Sequence, residues 1–148
     1  MKKVQLKIKG WYCNCRRKKI SRTKGIYFVY TCVCKYCITQ TITVHKLIYI
    51  GSAIEESIPE RLCRHEKNLQ FEETCQDNEG LCYTYIPLND ETDDAIRMYE
   101  QALIFAEKPE LNDQNKDNYD KDDIEIQLEG CVNVLPQTHF QIKDGKLL

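Results

Sequence analysis

Side chains that could handle a phosphate group recur along this sequence. Tyr27 and Tyr49 each stand near a glycine, in the tripeptides GIY (residues 25–27) and YIG (residues 49–51), and Arg61, His65 and Glu100 follow. The planar fork of an arginine fits phosphate oxygens, and a carboxylate can hold a hard cation such as magnesium. A tyrosine, with an ordinary pKa near ~10, is a poor base unless nearby positive charge favours its phenolate.

The two tyrosines lie in short apolar runs typical of buried strands, rich in β-branched and aromatic side chains. We predict strands over about 25–34 and 46–51, joined as antiparallel neighbours because the segment between them is short. Gly25 and Gly51 suit places where the backbone approaches a bulky partner. Two tyrosines are therefore expected near two glycines on adjacent strands.

Arg61 and His65 are predicted on the first helix. Its start at Ser57 is indicated by the S-x-x-E capping pattern of residues 57–60, with a proline in the first turn. Residues four apart on a helix share a face, so we expect the two side chains to lie together. The apolar stripe of this helix is Ile58, Leu62 and Leu69.

Glu100 falls on a second predicted helix, over about 91–107, with Thr92 as its cap and Pro109 beyond its end. Its position lies within an apolar face, where a carboxylate is costly to desolvate unless it is paired, protonated or bound to a cation. The alternative is that Glu100 sits at the edge of the apolar stripe and reaches water, as glutamates commonly do. Periodicity leaves both interpretations open. The apolar face is formed by Ile96, Tyr99, Leu103 and Ile104.

In order, GIY, YIG, Arg61-x-x-x-His65, Glu100 and Pro109-x-x-Asn112 resemble the GIY-YIG endonuclease superfamily, over residues 24–112. Each element alone has an ordinary explanation, such as a strand aromatic, a surface arginine or an asparagine that ends a loop. The resemblance depends on all five elements occurring in this order.

The resemblance implies a metal-dependent endonuclease that hydrolyses phosphodiester bonds in DNA. It implies Glu100 as the ligand of Mg²⁺ or Mn²⁺, and Arg61 as the group that stabilises the phosphate. It also implies Tyr27 as the general base, with Tyr49 hydrogen-bonded beside it or sharing the task.

Three further positions belong to the site that the resemblance implies. His65 is expected to orient a tyrosine or the phosphate, and Gly51 and Asn112 are expected near the substrate, with Asn112 in a supporting role. The alternative function is a nucleic-acid-binding module with the same fold that does not cleave, stabilised by zinc through its cysteines.

We predict an α+β fold in one domain over residues 1–148. The resemblance implies a small central three-stranded sheet, antiparallel or mixed, flanked by helices, and residues 81–88 supply its third strand. An extra N-terminal strand over 4–12 and a C-terminal β-hairpin of 124–128 and 132–135 complete the prediction. Its parts are a core over about 24–112, a basic N-terminal extension over 1–23 and a C-terminal extension over 113–148.

The net charge of −2 hides a strong asymmetry, because residues 1–24 contain ten Lys or Arg residues and no acidic one. A positive field directly before the first motif strand would attract nucleic-acid phosphate, and a plain solvated face is the alternative. The acidic run over 113–125 is expected to be such a solvated face. The residues predicted to contact DNA are Arg16, Arg17, Lys18, Lys19, Arg22 and Lys24.

Five of the nine cysteines fall in two close clusters, Cys13 with Cys15, and Cys32 with Cys34 and Cys37. Together they could supply four thiolates to a structural zinc ion. C-x-C is not the usual spacing of a zinc knuckle, and reduced thiols also pack as small hydrophobes. Zinc binding and packing are therefore both open.

No segment approaches the length of a membrane span, and the first residues lack the apolar core of a signal peptide. We therefore expect a cytoplasmic, intracellular protein with reduced cysteines. DNA is the expected partner, with no membrane, and a compact chain suits a stand-alone enzyme, a homo-oligomer or one subunit of a larger assembly.

Overall fold

A computed structural model describes residues 1–35 and 41–148. Within those residues the chain forms seven strands, three α-helices and one 3₁₀ helix, which confirms the α+β class. In chain order they are β1 (Lys2–Cys13), the 3₁₀ helix (Asn14–Lys19), β2 (Gly25–Lys35), β3 (Thr41–Ala53), α1 (Ile58–Cys63), α2 (Asn68–Thr74), β4 (Gly80–Pro87), α3 (Asp93–Glu107), β5 (Ile124–Gly130), β6 (His139–Lys143) and β7 (Lys146–Leu147).

The strands form one mixed sheet in the order β3-β2-β4-β1-β5-β6-β7, so the prediction of a small three-stranded sheet is wrong. The reason is β1. Residues 2–8 of this strand pair in parallel with β5, and its other end pairs antiparallel with β4 across a register shift between Lys9 and Tyr12. One long strand therefore joins the motif strands to the C-terminal strands, instead of standing beside a separate core.

The predicted C-terminal hairpin is wrong in its second strand. β5 pairs with β6, whereas residues 132–135 form a turn in which the amide of Leu135 donates to the carbonyl of Val132. Both side chains still pack against the core. Their apolar character reflected burial in a turn and not strand pairing.

The sheet carries a helix layer on each face of β2. Ile26, Phe28 and Tyr30 point into the core under α3, and Tyr27 and Val29 point into the core under α1 and α2. A strand buried on both faces reads as a continuous apolar run, which is what residues 26–30 show.

The first helix begins as predicted but ends early. The hydroxyl of Ser57 accepts a hydrogen bond from the amide of Glu60, and α1 stops at Cys63. His65 therefore lies beyond the helix and not one turn along it, and Leu69 of α2 is 68% exposed instead of belonging to an apolar stripe. Phe71 of α2 fills the core in its place.

Helix α3 follows the prediction closely. The hydroxyl of Thr92 accepts a hydrogen bond from the amide of Ala95 at 3.1 Å, and Lys108 ends the helix in the left-handed conformation. The chain then returns along β3, where the amide of Leu111 donates to the carbonyl of Ile48 at 2.8 Å. This return brings residues 109–112 to the outer edge of the sheet.

Gly51 is a point of close contact between β2 and β3. It lies opposite Tyr27 in the antiparallel ladder. A Cβ built at Gly51 would overlap the hydroxyl and ring of Tyr27, with the ring Cε2 at only 2.9 Å. Only glycine leaves room for the tyrosine to lie across the strand.

We expect Gly51→Ala to lower the free energy of unfolding by about 1–3 kcal/mol, because overpacking forces the tyrosine or the strand to shift. Gly80→Ala is the matched control, since a Cβ there would meet open space and should change stability by less than about 0.5 kcal/mol. Urea unfolding followed by circular dichroism measures both. Equal effects at the two positions would contradict the assigned contact.

Candidate active site

Tyr27 and Tyr49 lie together on neighbouring strands. Their ring centroids are 6.3 Å apart and the rings are inclined by only 27°. His65 meets both edge-on, at 5.8 Å from Tyr27 and 5.2 Å from Tyr49. Phe71 closes the cluster, with its centroid 5.0 Å from the imidazole. The ladder brings the tyrosines together, and aromatic packing brings the histidine to them although it lies outside α1.

An irregularity in β3 aims Tyr49 into this cluster. The register with β2 shifts between Val29 and Tyr30, which leaves Ile48 as an extra residue on β3. Ile48 and Tyr49, although adjacent, both contact the core under α1 and α2. Such a bulge re-aims side chains that regular alternation would separate.

His65 is buried, and it presents an unused donor. The amide of Lys67 donates to its Nδ1 at 3.1 Å, so the ring proton sits on Nε2. That nitrogen is buried and has no hydrogen-bond partner among the residues that the structure describes. Burial, helped by the charge of Arg61, lowers the pKa of His65 to about 4, so the imidazole is neutral near pH 7.

Arg61 lies in the last turn of α1 and is held by Glu66. Its Nη1 and Nη2 donate to the two carboxylate oxygens at 2.8 and 3.2 Å. The pair raises the pKa of Arg61 and lowers the pKa of Glu66 to about 2, so both groups are charged at neutral pH. The guanidinium is also close enough to lower the pKa of both tyrosines, against the stronger effect of their burial.

Glu100 reaches the same place from the opposite face of the sheet. It lies on α3, and the hydroxyl of Ser52 on the edge strand β3 is near enough to affect its pKa. Burial raises the pKa of Glu100, and the nearby hydroxyl of Ser52 and the charges of Arg61 and Arg97 oppose that rise. Glu100 is half-buried and lines a cleft, which is intermediate between a carboxylate enclosed by the apolar face and one at a solvated edge.

Both tyrosines are protonated at neutral pH in this arrangement. Burial raises the pKa of Tyr27 well above its ordinary value and that of Tyr49 to about 12. The negative charge of Glu100 raises both further. A base role for either phenol therefore requires additional positive charge in the site.

Asn112 ties the edge of the sheet together. Its side-chain amide donates to the carbonyl of Ile50 at 2.9 Å and accepts from the amide of Ile50 at 3.0 Å. The residue is buried, and both polar atoms of its side chain are occupied by the backbone. Asn112 thus anchors β3 beside Gly51, which fits its predicted supporting role but not a direct contact with substrate.

Two clefts open beside the edge strand β3. The larger, about 640 Å³, is lined by Ser52, Arg61, Arg64 and Arg97 together with three glutamates. The smaller, about 290 Å³, is lined by Tyr49, Lys67, Glu100 and the segment 112–115. Glu100 lines the smaller cleft and Arg61 lines the larger one.

The predicted basic residues divide into two groups. Lys18 and Lys19 are exposed, Arg16 is half-buried, and exposed Arg22 approaches Glu60 at 3.6 Å. Arg17 and Lys24 are partly tied down, Arg17 by the carbonyl of Asn14 and Lys24 by Asp93 at 3.3 Å. Of the predicted basic residues, Lys18 and Arg22 line a further cleft, together with Arg64.

The cysteines differ from the expectation of a fully reduced set. Cys13 and Cys34 are joined as a disulfide that links β1 to β2. Cys15 lies at the same concavity, while Cys32 and Cys82 are both buried, and Cys82 lowers the pKa of the Cys32 thiol. Cys37 lies outside the described residues, so zinc binding stays a prediction.

Sequence reasoning did not single out Ser52, Glu66 and Lys67. Strand alternation places Ser52 on the opposite face from Gly51, towards α3, and that signal could have found it. The other two lie beyond the early end of α1, inside what the sequence predicted as continuous helix. The Nζ atom of Lys67 lies 5.9 Å over the ring of Tyr49 and 3.0 Å from Asp113.

No cluster of three or more His, Cys, Asp or Glu residues suited to a metal ion occurs within residues 1–35 and 41–148. Across that part of the chain, no helix has the length and apolar character needed to cross a membrane. Comparisons with family models, curated proteins and solved structures give no match.

The low pKa of His65 predicts a specific dependence of stability on pH. Because the folded state holds a pKa of about 4 against an ordinary 6.5, the unfolded chain takes up a proton first as the pH falls. Stability is therefore intact above pH 6.5 and lost between pH 6.5 and 4, by about 2–3 kcal/mol at pH 4.5. His65→Asn should lack this loss.

The measurement is urea unfolding of wild type and variant at pH 7 and pH 4.5. Buried Glu107, with a pKa raised by burial to about 8, changes stability in the opposite direction but does so in both proteins. His139→Asn, at an exposed position, is the control. A gap between wild type and His65→Asn that is the same at both pH values would show that His65 does not titrate as described.

Proposed function

We propose that the chain is a metal-dependent endonuclease of the GIY-YIG type, which hydrolyses phosphodiester bonds in DNA. The observation that carries the proposal is the convergence of Tyr27, Tyr49, Arg61, His65 and Glu100 from separate segments at one edge of the sheet. Their side-chain types are those the chemistry needs: a cation ligand, a phosphate donor set and groups that can move a proton.

Glu100 is suited to be the ligand of the cation. Its carboxylate is half-buried and lines the smaller cleft, and burial raises its pKa. Held by Glu100, Mg²⁺ or Mn²⁺ would supply positive charge to the phosphate oxygens and relieve the cost of burying the carboxylate.

Arg61 is suited to bind the phosphate. It lines the larger cleft and has a planar fork that can grip two non-bridging oxygens. The free Nε2 proton of His65 offers a further donor to the phosphate or to a tyrosine oxygen. Together they would stabilise the charge that grows on phosphate as water attacks.

Tyr27 is the proposed general base, with Tyr49 beside it. The phenol must lose a proton that burial holds firmly, so catalysis requires positive charge near it. The charge of Arg61 already acts in that direction. The proton that Tyr27 accepts from water would stay close to Tyr49 and His65, which pack against it.

Glu100→Ala should reduce Mg²⁺-dependent cleavage by roughly 100-fold or more, because the cation loses its carboxylate ligand. Folding and DNA affinity should be nearly unchanged, since the surrounding core and basic surface remain. A plasmid-nicking assay, with circular dichroism and a DNA-binding titration, measures all three properties.

Glu129→Gln, an exposed charge on β5, is the control and should cleave like wild type. Cleavage by Glu100→Ala at the wild-type rate would refute the assignment of Glu100.

The exposed basic residues around the 3₁₀ helix are proposed to hold DNA. A Lys18→Gln/Arg22→Gln double variant should weaken binding and lower the slope of log affinity against log salt by about 1 for each phosphate contact removed. Titrations at several salt concentrations, with Lys143→Gln/Lys146→Gln on the far strands as control, give this slope. A slope that is the same in wild type and both double variants would remove the segment from the interface.

The second candidate function is a nucleic-acid-binding module that does not cleave and that binds zinc through its cysteines. It is favoured by one observation: Cys13 and Cys15 of the first cluster and Cys34 of the second line a single concavity of about 400 Å³ together with Cys75. No group of residues in the described part of the chain is arranged as a metal site, so zinc would require a rearrangement as well as reduction of the disulfides that hold Cys13, Cys15 and Cys34. Nicking with and without chelator, and metal analysis of protein purified under reducing conditions, separate the two functions.

A further inference from the structure

Glu66 is hydrogen-bonded to the guanidinium of Arg61, which is the group that would bind a phosphate. The carboxylate accepts two hydrogen bonds, from Nη1 at 2.8 Å and from Nη2 at 3.2 Å. A guanidinium fork presents the same geometry to a carboxylate and to a phosphate. The two anions therefore compete for one set of donors.

The carboxylate is the more solvated member of the pair. The side chain of Glu66 is 65% exposed, against 27% for Arg61, and Glu66 lies between α1 and α2 and not within either helix. Exposed ion pairs are weak because water stabilises the separated charges. Glu66 can thus leave while Arg61 keeps its place in the site.

Other arginines of the larger cleft are also paired with the chain's own acids. Arg64 contacts Glu56, and Arg97 lies 3.7 Å from Asp94. Glu66 differs from these acids because its charge also raises the pKa of Tyr27 and Tyr49. It is the acid whose departure changes both the phosphate donor and the tyrosines.

We propose that Glu66 is an internal competitor for phosphate, which holds the guanidinium of Arg61 until a nucleic-acid phosphate displaces it. The proposal rests on the proposed function. Its consequence is that an anion must outcompete a carboxylate that is already in place, so weakly bound anions are excluded from Arg61. Glu66 is a positioning residue in this scheme and does not contact the substrate.

The test compares wild type, Glu66→Gln and the control Glu73→Gln, which removes an equal charge from an exposed position on α2. Two quantities are measured: the affinity for inorganic phosphate, from the NMR signal of the Arg61 Nε–Hε group, and KM and kcat for DNA cleavage. Glu66→Gln should bind phosphate about two- to fivefold more tightly and lower KM by the same factor, with kcat unchanged. Glu73→Gln should match wild type in both.

The outcomes separate this proposal from the proposed function. If wild type cleaves DNA but Glu66→Gln has an unchanged KM or a reduced kcat, the competitor role is overturned and the nuclease stands. If no protein cleaves yet Glu66→Gln binds phosphate more tightly, the competition is supported and the nuclease fails. A gain in phosphate affinity that persists when Arg61→Gln is added to Glu66→Gln would also overturn the proposal, because the gain would not pass through Arg61.

Discussion

The close contact of Tyr27 with Gly51 is the constraint on which the rest of the site depends. A strand residue without a side chain lets the phenol lie across the edge strand, and Tyr49 and His65 both pack against that ring. Asn112 fixes the backbone of the neighbouring residue, Ile50, through both of its amide atoms. The two tyrosines are therefore held by a strand pair, which suits chemistry that needs fixed distances, whereas His65 and Glu66 lie in the turn between α1 and α2.

The charges of the site offset one another. Glu66 neutralises Arg61, and Glu100 and burial hold the tyrosines in their protonated state. In the proposed enzyme, cation and phosphate change both conditions together: one offsets the charge of Glu100, and the other takes the place of Glu66. Substrate binding and activation of the base would then be a single electrostatic event.

Local sequence signals predicted the helices and most strands well, whereas the pairing of strands that are distant in the sequence was not predicted. The caps at Ser57 and Thr92 marked real helix starts, because capping uses residues within one turn. Which strand β1 would join depends on residues more than a hundred positions away, in β5, and no local pattern encodes that partner. Glu66 was also missed, because its carboxylate meets Arg61 only if α1 ends early.

In the proposed enzyme, one divalent cation binds at Glu100, beside the tyrosines and Arg61. Bound Mn²⁺ broadens the NMR signals of nuclei near it, so a manganese titration locates the cation. On titration of the protein with Mn²⁺, we expect selective loss of the backbone amide signals of Ser52, Arg61 and Glu100, with those of β6 retained, and no selective loss in Glu100→Gln. Broadening confined to the acidic segment 113–125, or unchanged by Glu100→Gln, would contradict it.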